Sequence, residues 1–265
     1  MNPFRAFGCL LAIAAAAAAV HAASPPLLAR HALVLERNQG QAPVKVRYLA
    51  RHGVAGVFFT ADGVSFVRPK ASDEPAQVEW RLVGAAAGVE PVGRNPLPSR
   101  SNYFTGSHPS QWVREVENDA EVVYPRVYPG VDLVFHDAGG DLEHDFRIAP
   151  GADPSRIAFR LEGAEPPAID PHGDLQIRLG AGSMVLHKPL TYQEMAAGRA
   201  PVDSRFVVDP HGAVRFRLGA YDRSRALVID PVFGFSTYLA GTGGEQLAAV
   251  TTDAAGNVYV TGSTY

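Results

Sequence analysis

The feature that most constrains this chain is a period-two alternation of apolar and polar residues between Asn118 and Gly163, punctuated by proline and glycine corners. Val122, Val123 and Tyr124 form a short apolar run. Pro125 and the Tyr128-Pro129-Gly130 corner read as breaks, after which Val131, Leu133 and Phe135 alternate with Asp132, Val134 and His136. Gly139-Gly140 turns the chain back, and Leu142, His144, Phe146 and Ile148 then alternate with Glu143, Asp145 and Arg147. Successive residues of a strand point to opposite faces, so this pattern specifies an antiparallel hairpin with one largely apolar face and one charged face.

The same pattern recurs along the chain. Val44, Val46 and Tyr48, then Val57–Thr60, Val64 with Phe66, and Val78, Trp80 and Leu82 read as strands separated by turns such as Asn38-Gln39-Gly40-Gln41 and Ala61-Asp62-Gly63. Residues 84–101, with Pro91, Pro96 and Pro98 among several glycines, read as a long irregular connection and a subdomain break. Pro109–Trp112 and Asp153-Pro154-Ser155-Arg156 suit single helical turns, proline being tolerated in a first turn and aspartate favoured as a cap. Asp170-Pro-His-Gly and Asp209-Pro-His-Gly open two twelve-residue segments identical at eight positions, each a turn followed by a strand. No long amphipathic helix follows residue 22, so the expected class is all-β, an antiparallel sandwich-like domain with room for two subdomains.

The first 22 residues have the form of a secretory signal: Arg5, an apolar run from Cys9 to Val20, and a small-residue cleavage site at Val20-His21-Ala22. Export to the periplasm, cell surface or medium is the expectation, with no transmembrane segment in the mature chain. Cys9 is the only cysteine, so the mature chain has no disulfides and depends on buried apolar area and sheet hydrogen bonds. A net charge of −3 lacks the basic excess that nucleic-acid binding requires.

Few residues point to chemistry. Asp141, Glu143 and Asp145 share one strand face, with Asp137 nearby, and offer oxygen ligands of the kind calcium takes. Same-face neighbours stand about 7 Å apart, so the favoured reading is a solvated acidic face balanced by arginines, and no metal or cofactor is expected. His144 falls on the apolar face and reads as a core histidine. Trp80, Trp112 and Tyr103 are candidates for stacking on a sugar, the competing reading being core or cross-strand packing. The sequence has no nucleophile elbow, zinc-protease helix or phosphate loop, and no catalytic residue is assigned. A carboxylate pair of Glu143 and Asp132 is the one hydrolase arrangement worth testing.

Several motifs together resemble a family. Asn38-Gln39-Gly40-Gln41, Asn102-Tyr103-Phe104, Val127–Leu133, Leu142–Phe146, Pro150–Pro154 and Tyr221-Asp222 are similar to the uncharacterised β-rich domain that precedes SBBP-type β-propeller repeats in exported bacterial proteins. Phe235–Gly241 and Asp253–Gly262 look like a first such repeat. The resemblance implies a β-rich domain over 23–231 and an incomplete propeller blade over 232–265, its edge completed by further repeats. It departs where Thr242-Gly243-Gly244-Glu245 replaces a more acidic turn and His144 a tyrosine. The implied role is a non-enzymatic scaffold or interaction protein that meets an extracellular protein or glycan. A carbohydrate-binding adhesion module and a secreted hydrolase are the alternatives.

Overall fold

A computed structural model describes residues 33–52, 55–68, 76–179, 182–236, 245–252 and 258–264, with side chains followed as far as Val232. The expected signal segment and the Thr242–Glu245 turn up to Gly244 lie outside the described residues. The fold is all-β. Its strands are β1 (Leu35–Arg37), β2 (Val46–His52), β3 (Ala55–Thr60), β4 (Gly63–Arg68), β5 (Ala76–Leu82), β6 (Val92–Tyr103), β7 (Val113–Tyr128), β8 (Val131–Ala138), β9 (Asp141–Ile148), β10 (Ala158–Glu162) and β11 (Ala168–Ile169). They continue as β12 (Leu175–Leu179), β13 (Gly182–Leu186), β14 (Leu190–Met195), β15 (Gly198–Pro201), β16 (Ser204–Val208), β17 (Val214–Leu218), β18 (Leu227–Asp230), β19 (Phe233–Ser236), β20 (Glu245–Thr252) and β21 (Val258–Thr264). Two single 3-10 turns, Pro109–Gln111 and Pro154–Arg156, sit where proline and the Asp153 cap place them.

One large antiparallel sheet runs β15-β14-β18-β9-β8-β7-β1-β2-β3-β4-β5-β10-β17-β16, with β6 added beside β7. Its first and last strands, β15 and β16, are neighbours in the chain. Val202 N–H donates to Thr191 O at 2.7 Å and Gly219 N–H donates to Asp203 O at 2.7 Å, so the two-residue link is anchored to both ends of the sheet. Among the described strands no pairing closes this sheet into a barrel. A second sheet, β11-β12-β13-β19, supplies Leu175, Ile177, Met184 and Leu186 to the same apolar core that Phe59, Trp80, Phe135, Phe146, Phe159 and Phe216 fill from the large sheet. β20 and β21 pair only with each other among the described strands, short of the four that make a propeller blade.

Two expectations need correction. Pro125 does not break its strand: β7 runs through it to Tyr128, and the register jumps from Tyr124↔Leu133 to Tyr128↔Val131. The extra residues form a bulge in which Arg126 takes a φ of 51°, its amide held by Asp132 Oδ1 at 2.7 Å. The proline-rich stretch 84–101 is likewise largely strand, since β6 covers Val92–Tyr103 and pairs with β7 along its outer edge. Among the described strands β6 pairs with β7 alone, and a proline lacking its N–H is tolerated on such an edge. The shift between Pro96 and Arg100 absorbs the remaining mismatch.

The β8–β9 hairpin closes as its sequence requires. Ala138 pairs with Asp141 across Gly139 and Gly140, whose φ values of 69° and 98° suit the two-residue turn that matches strand twist.

Candidate functional site

The charged face of that hairpin forms the floor of a cleft of about 700 Å³. β7, β8, β9 and β18 build the floor, and the β14–β15 hairpin, Leu33 and the Asn95–Leu97 part of β6 form its walls. Register decides who meets whom. Glu121 stands opposite His136, and His136 opposite Glu143. Phe146 stands opposite Ile229, so one step further along the same register sets Asp145 beside Asp230.

Asp145 is the hub. Its Oδ2 accepts from Arg147 Nη2 at 3.3 Å and lies 3.3 Å from His136 Nε2, while Arg147 also binds Glu121 at 2.9 Å. The hydrogen bond to Asp145 raises the His136 imidazole to about 9, outweighing its burial. Burial alone would raise the Asp145 carboxyl, but the bond from His136 and the Arg147 charge hold it below the usual carboxylate range. Asp230 moves the other way: burial, then the Asp145 charge, raises it. On the wall, Arg199 lies over the Tyr192 ring at 4.1 Å and pairs with Glu194 at 3.2 Å.

The structure redistributes the residues singled out in the sequence. Trp80 is 2% exposed and packs edge-on to Phe135, His144, Phe146 and Phe159, so the indole belongs to the core instead of offering a sugar-stacking face. His144 is fully buried in the same ring cluster, and burial holds its imidazole at about 3. Tyr103 donates its hydroxyl to Glu36 and carries Arg51 over its ring, which commits it to the sheet. Trp112 is half-buried beside Phe104, 63% exposed, with Arg114 4.8 Å from the indole centre.

Of Asp141, Glu143 and Asp145, the structure describes the side chains of the last two. Asp145 engages His136 and Arg147 through Oδ2, Glu143 lies across from His136, and the Asp141 side chain is outside what the structure describes. Among the described residues no three carboxylate, histidine or cysteine groups are arranged to hold a metal ion. Asp132 serves the bulge amide of Arg126 and stands opposite Arg147, four residues along the ladder from the His136–Glu143 pair. That is about 13 Å, so Asp132 and Glu143 do not flank one bond. Asp230, Glu121, Tyr192 and Arg199 carried no signal in the sequence, because their only link to Asp145 is strand order.

A model for a domain of unknown function, DUF7948, matches residues 35–232, about three quarters of the chain. The chain belongs to this family. The DUF7948 match spans β1 to β18 and so includes every cleft-lining residue except Leu33. Comparison with curated proteins and with solved structures gave no significant match. Among the described residues no helix is long and apolar enough to cross a membrane.

Proposed function

We propose that this chain is an exported, non-enzymatic scaffold or interaction protein whose DUF7948 domain caps a β-propeller of the SBBP type that begins in its tail. The observation that carries this reading is β19. The family match stops at residue 232, and the next four residues form a strand hydrogen-bonded along β13, from Leu186↔Phe233 to Ser183↔Ser236. A further bridge joins Val232 to Glu143. The chain therefore leaves the domain as a sheet edge, which suits a cap that covers an open edge of whatever follows. Reading the coding DNA beyond Tyr265 tests it. In-frame units like Gly256-Asn257-Val258-Tyr259-Val260-Thr261-Gly262 are expected, and a stop codon there would sink the capping role. Hydrolysis of a polysaccharide or ester panel that disappears in a folded Glu143→Gln variant would overturn the non-enzymatic reading.

A second reading has its own observation. Phe104, exposed, and Trp112, half-buried and edge-on to it, form with Arg114 an aromatic and cationic surface patch, and aromatic rings at a surface can stack on sugars. Selective glycan binding lost in Trp112→Ala would make this the primary role, and silence across a glycan array would retire it.

A further inference from the structure

We propose that the groove at the β16–β17 end of the large sheet is a binding site for a phosphate monoester group, gripped by the guanidinium groups of Arg205 and Arg217. The groove has a volume of about 420 Å³, and Arg215, Arg217, Arg223, Asp153 and Tyr221 are among the residues that line it. Arg205 stands directly opposite Arg217 on the neighbouring strand, and both are exposed.

Exposed arginines alone would be a solvated face. The independent observation is that this pair lacks the acid that balances arginine elsewhere in the molecule. Arg47 pairs with Glu90, Arg81 with Glu162, Arg147 with Glu121 and Arg199 with Glu194. Among the described residues neither Arg205 nor Arg217 makes a hydrogen bond or an ion pair through its side chain. Directly opposed residues on neighbouring strands have Cβ atoms about 5 Å apart, and like charges so placed repel. The acids of the same segments are committed to turns. Asp153 accepts from the Ser155 hydroxyl and amide, Asp209 from the Ala213 and His211 amides, and Asp222 from the Ser224 hydroxyl and amide. Asp209 also reaches Arg215 at 3.6 Å, and Asp203, beside Arg205, pairs with neither member of the pair. Positive charge is left over here, on a chain whose net charge is −3.

Chemistry selects the anion. A guanidinium is a planar fork that meets an oxyanion through two parallel N–H donors, so a single carboxylate is filled by a single fork. Two opposed forks, with Arg215 and Arg223 along the same groove, suit an anion with more oxygens and more charge. A phosphate monoester has three acceptor oxygens and carries a charge of about −1.5 to −2 at pH 7. A phosphodiester polymer calls for a basic excess that this chain lacks. The groove volume falls within the range that encloses a small ligand, about 300–1,000 Å³, and Tyr221 and Phe216 add ring surface to its lining. The phosphate therefore belongs to a sugar-sized molecule, either free or as the exposed end of a lipid.

The test is calorimetric and NMR titration of the full-length chain at low ionic strength with glucose 6-phosphate, glucose 6-sulfate and glucose, and flotation with phosphatidylcholine vesicles with and without phosphatidic acid. Saturable binding of glucose 6-phosphate without binding of glucose is expected, and it should weaken several-fold as pH falls through about 6, where the phosphate takes up its second proton. Arg217→Gln and Arg205→Gln should each weaken it about tenfold while leaving the protein folded, because each removes one of two repelling charges. Arg94→Gln, on β6 and outside the groove, should keep the wild-type affinity. Equal affinity for glucose 6-sulfate, an equal loss in Arg94→Gln, or wild-type affinity in Arg217→Gln overturns the proposal. Flotation with phosphatidic acid that is lost in Arg217→Gln places the phosphate on a lipid, and binding of glucose 6-phosphate without flotation places it on a soluble molecule. Absence of both overturns the site.

Discussion

The two faces of the β8–β9 hairpin are built from neighbouring residues and behave as different solvents. On one face Phe135, His144 and Phe146 are buried among Phe59, Trp80 and Phe159; on the other His136, Asp145 and Arg147 line the cleft. The two histidines make the contrast measurable. His144 sits opposite Phe135, and His136, the next residue along, sits opposite Glu143. Burial drives the first imidazole down to about 3, and the Asp145 carboxylate lifts the second to about 9. A single step along a strand thus reverses the sign of a histidine shift, because it exchanges an apolar surround for an ionised partner.

The largest expected effect sets the faces against each other directly. Phe146→Ala should lower unfolding free energy by about 3–5 kcal/mol through lost burial and a cavity, whereas Arg147→Ala, 43% exposed, should lose no more than about 1 kcal/mol. Urea titration of both variants measures this, and equal losses would mean that the hairpin faces are not differentiated.

On the core face, acidification provides the next test. Between about pH 6.5 and 3 the unfolded chain binds a proton that buried His144 does not, so stability falls as pH drops through that window. The contribution is on the order of 4 kcal/mol. His144→Phe should flatten the upper part of that slope, Tm against pH between about 6.5 and 5, where the depressed carboxylates contribute least. An unchanged slope would mean that the ring is not buried in its neutral form.

The cleft face should respond at the opposite end of the scale. His136 has a raised folded pKa, so its stabilisation is complete below about 6.5 and is lost as pH rises through about 9. Allowing for the part of the ring open to water, this amounts to about 2 kcal/mol. His136→Gln should remove the alkaline decline in Tm while preserving the acid one, and the paired variants would then separate the two limbs. The smallest change is expected at the cleft wall. Arg199→Ala gives up an exposed ion pair and a ring contact, at about 0.5 kcal/mol, and a larger loss would show that the β14–β15 hairpin is held chiefly from the cleft side.

Much of the architecture was legible because it rests on local rules. Alternation located the strands, Gly139-Gly140 located the hairpin, and His144 was assigned to the core from its position between Leu142 and Phe146. The misreadings share one cause. Pro125 and the prolines of residues 84–101 read as interruptions, whereas a bulge and an outer sheet edge accommodate them, and neither condition is written in the residues themselves. Trp80 alternates as a half-exposed strand residue would, and only the strands packed over it remove its ring from water.

The echoed segments mark the same boundary between local and global information. In both, the aspartate Oδ1 accepts two backbone amides, His172 and Asp174 in one and His211 and Ala213 in the other, and Gly173 and Gly212 take positive φ. The turns are equivalent, yet β12 enters the four-stranded sheet and β17 the large one. One position reflects the divergence: Asp174 reaches Lys188 N–H at 2.7 Å and His187 at 3.0 Å, while its counterpart Ala213 is buried.

The sequence by itself therefore determined the all-β class, most of the strands and turns, and which side of the β8–β9 hairpin faces the core, since each follows from side-chain period and turn chemistry within a few residues. Tertiary structure alone decided which strands became neighbours. Asp145 and Asp230 lie far apart in the chain and meet because β18 pairs with β9, and strand order is a property of the whole sheet that no local run of residues encodes.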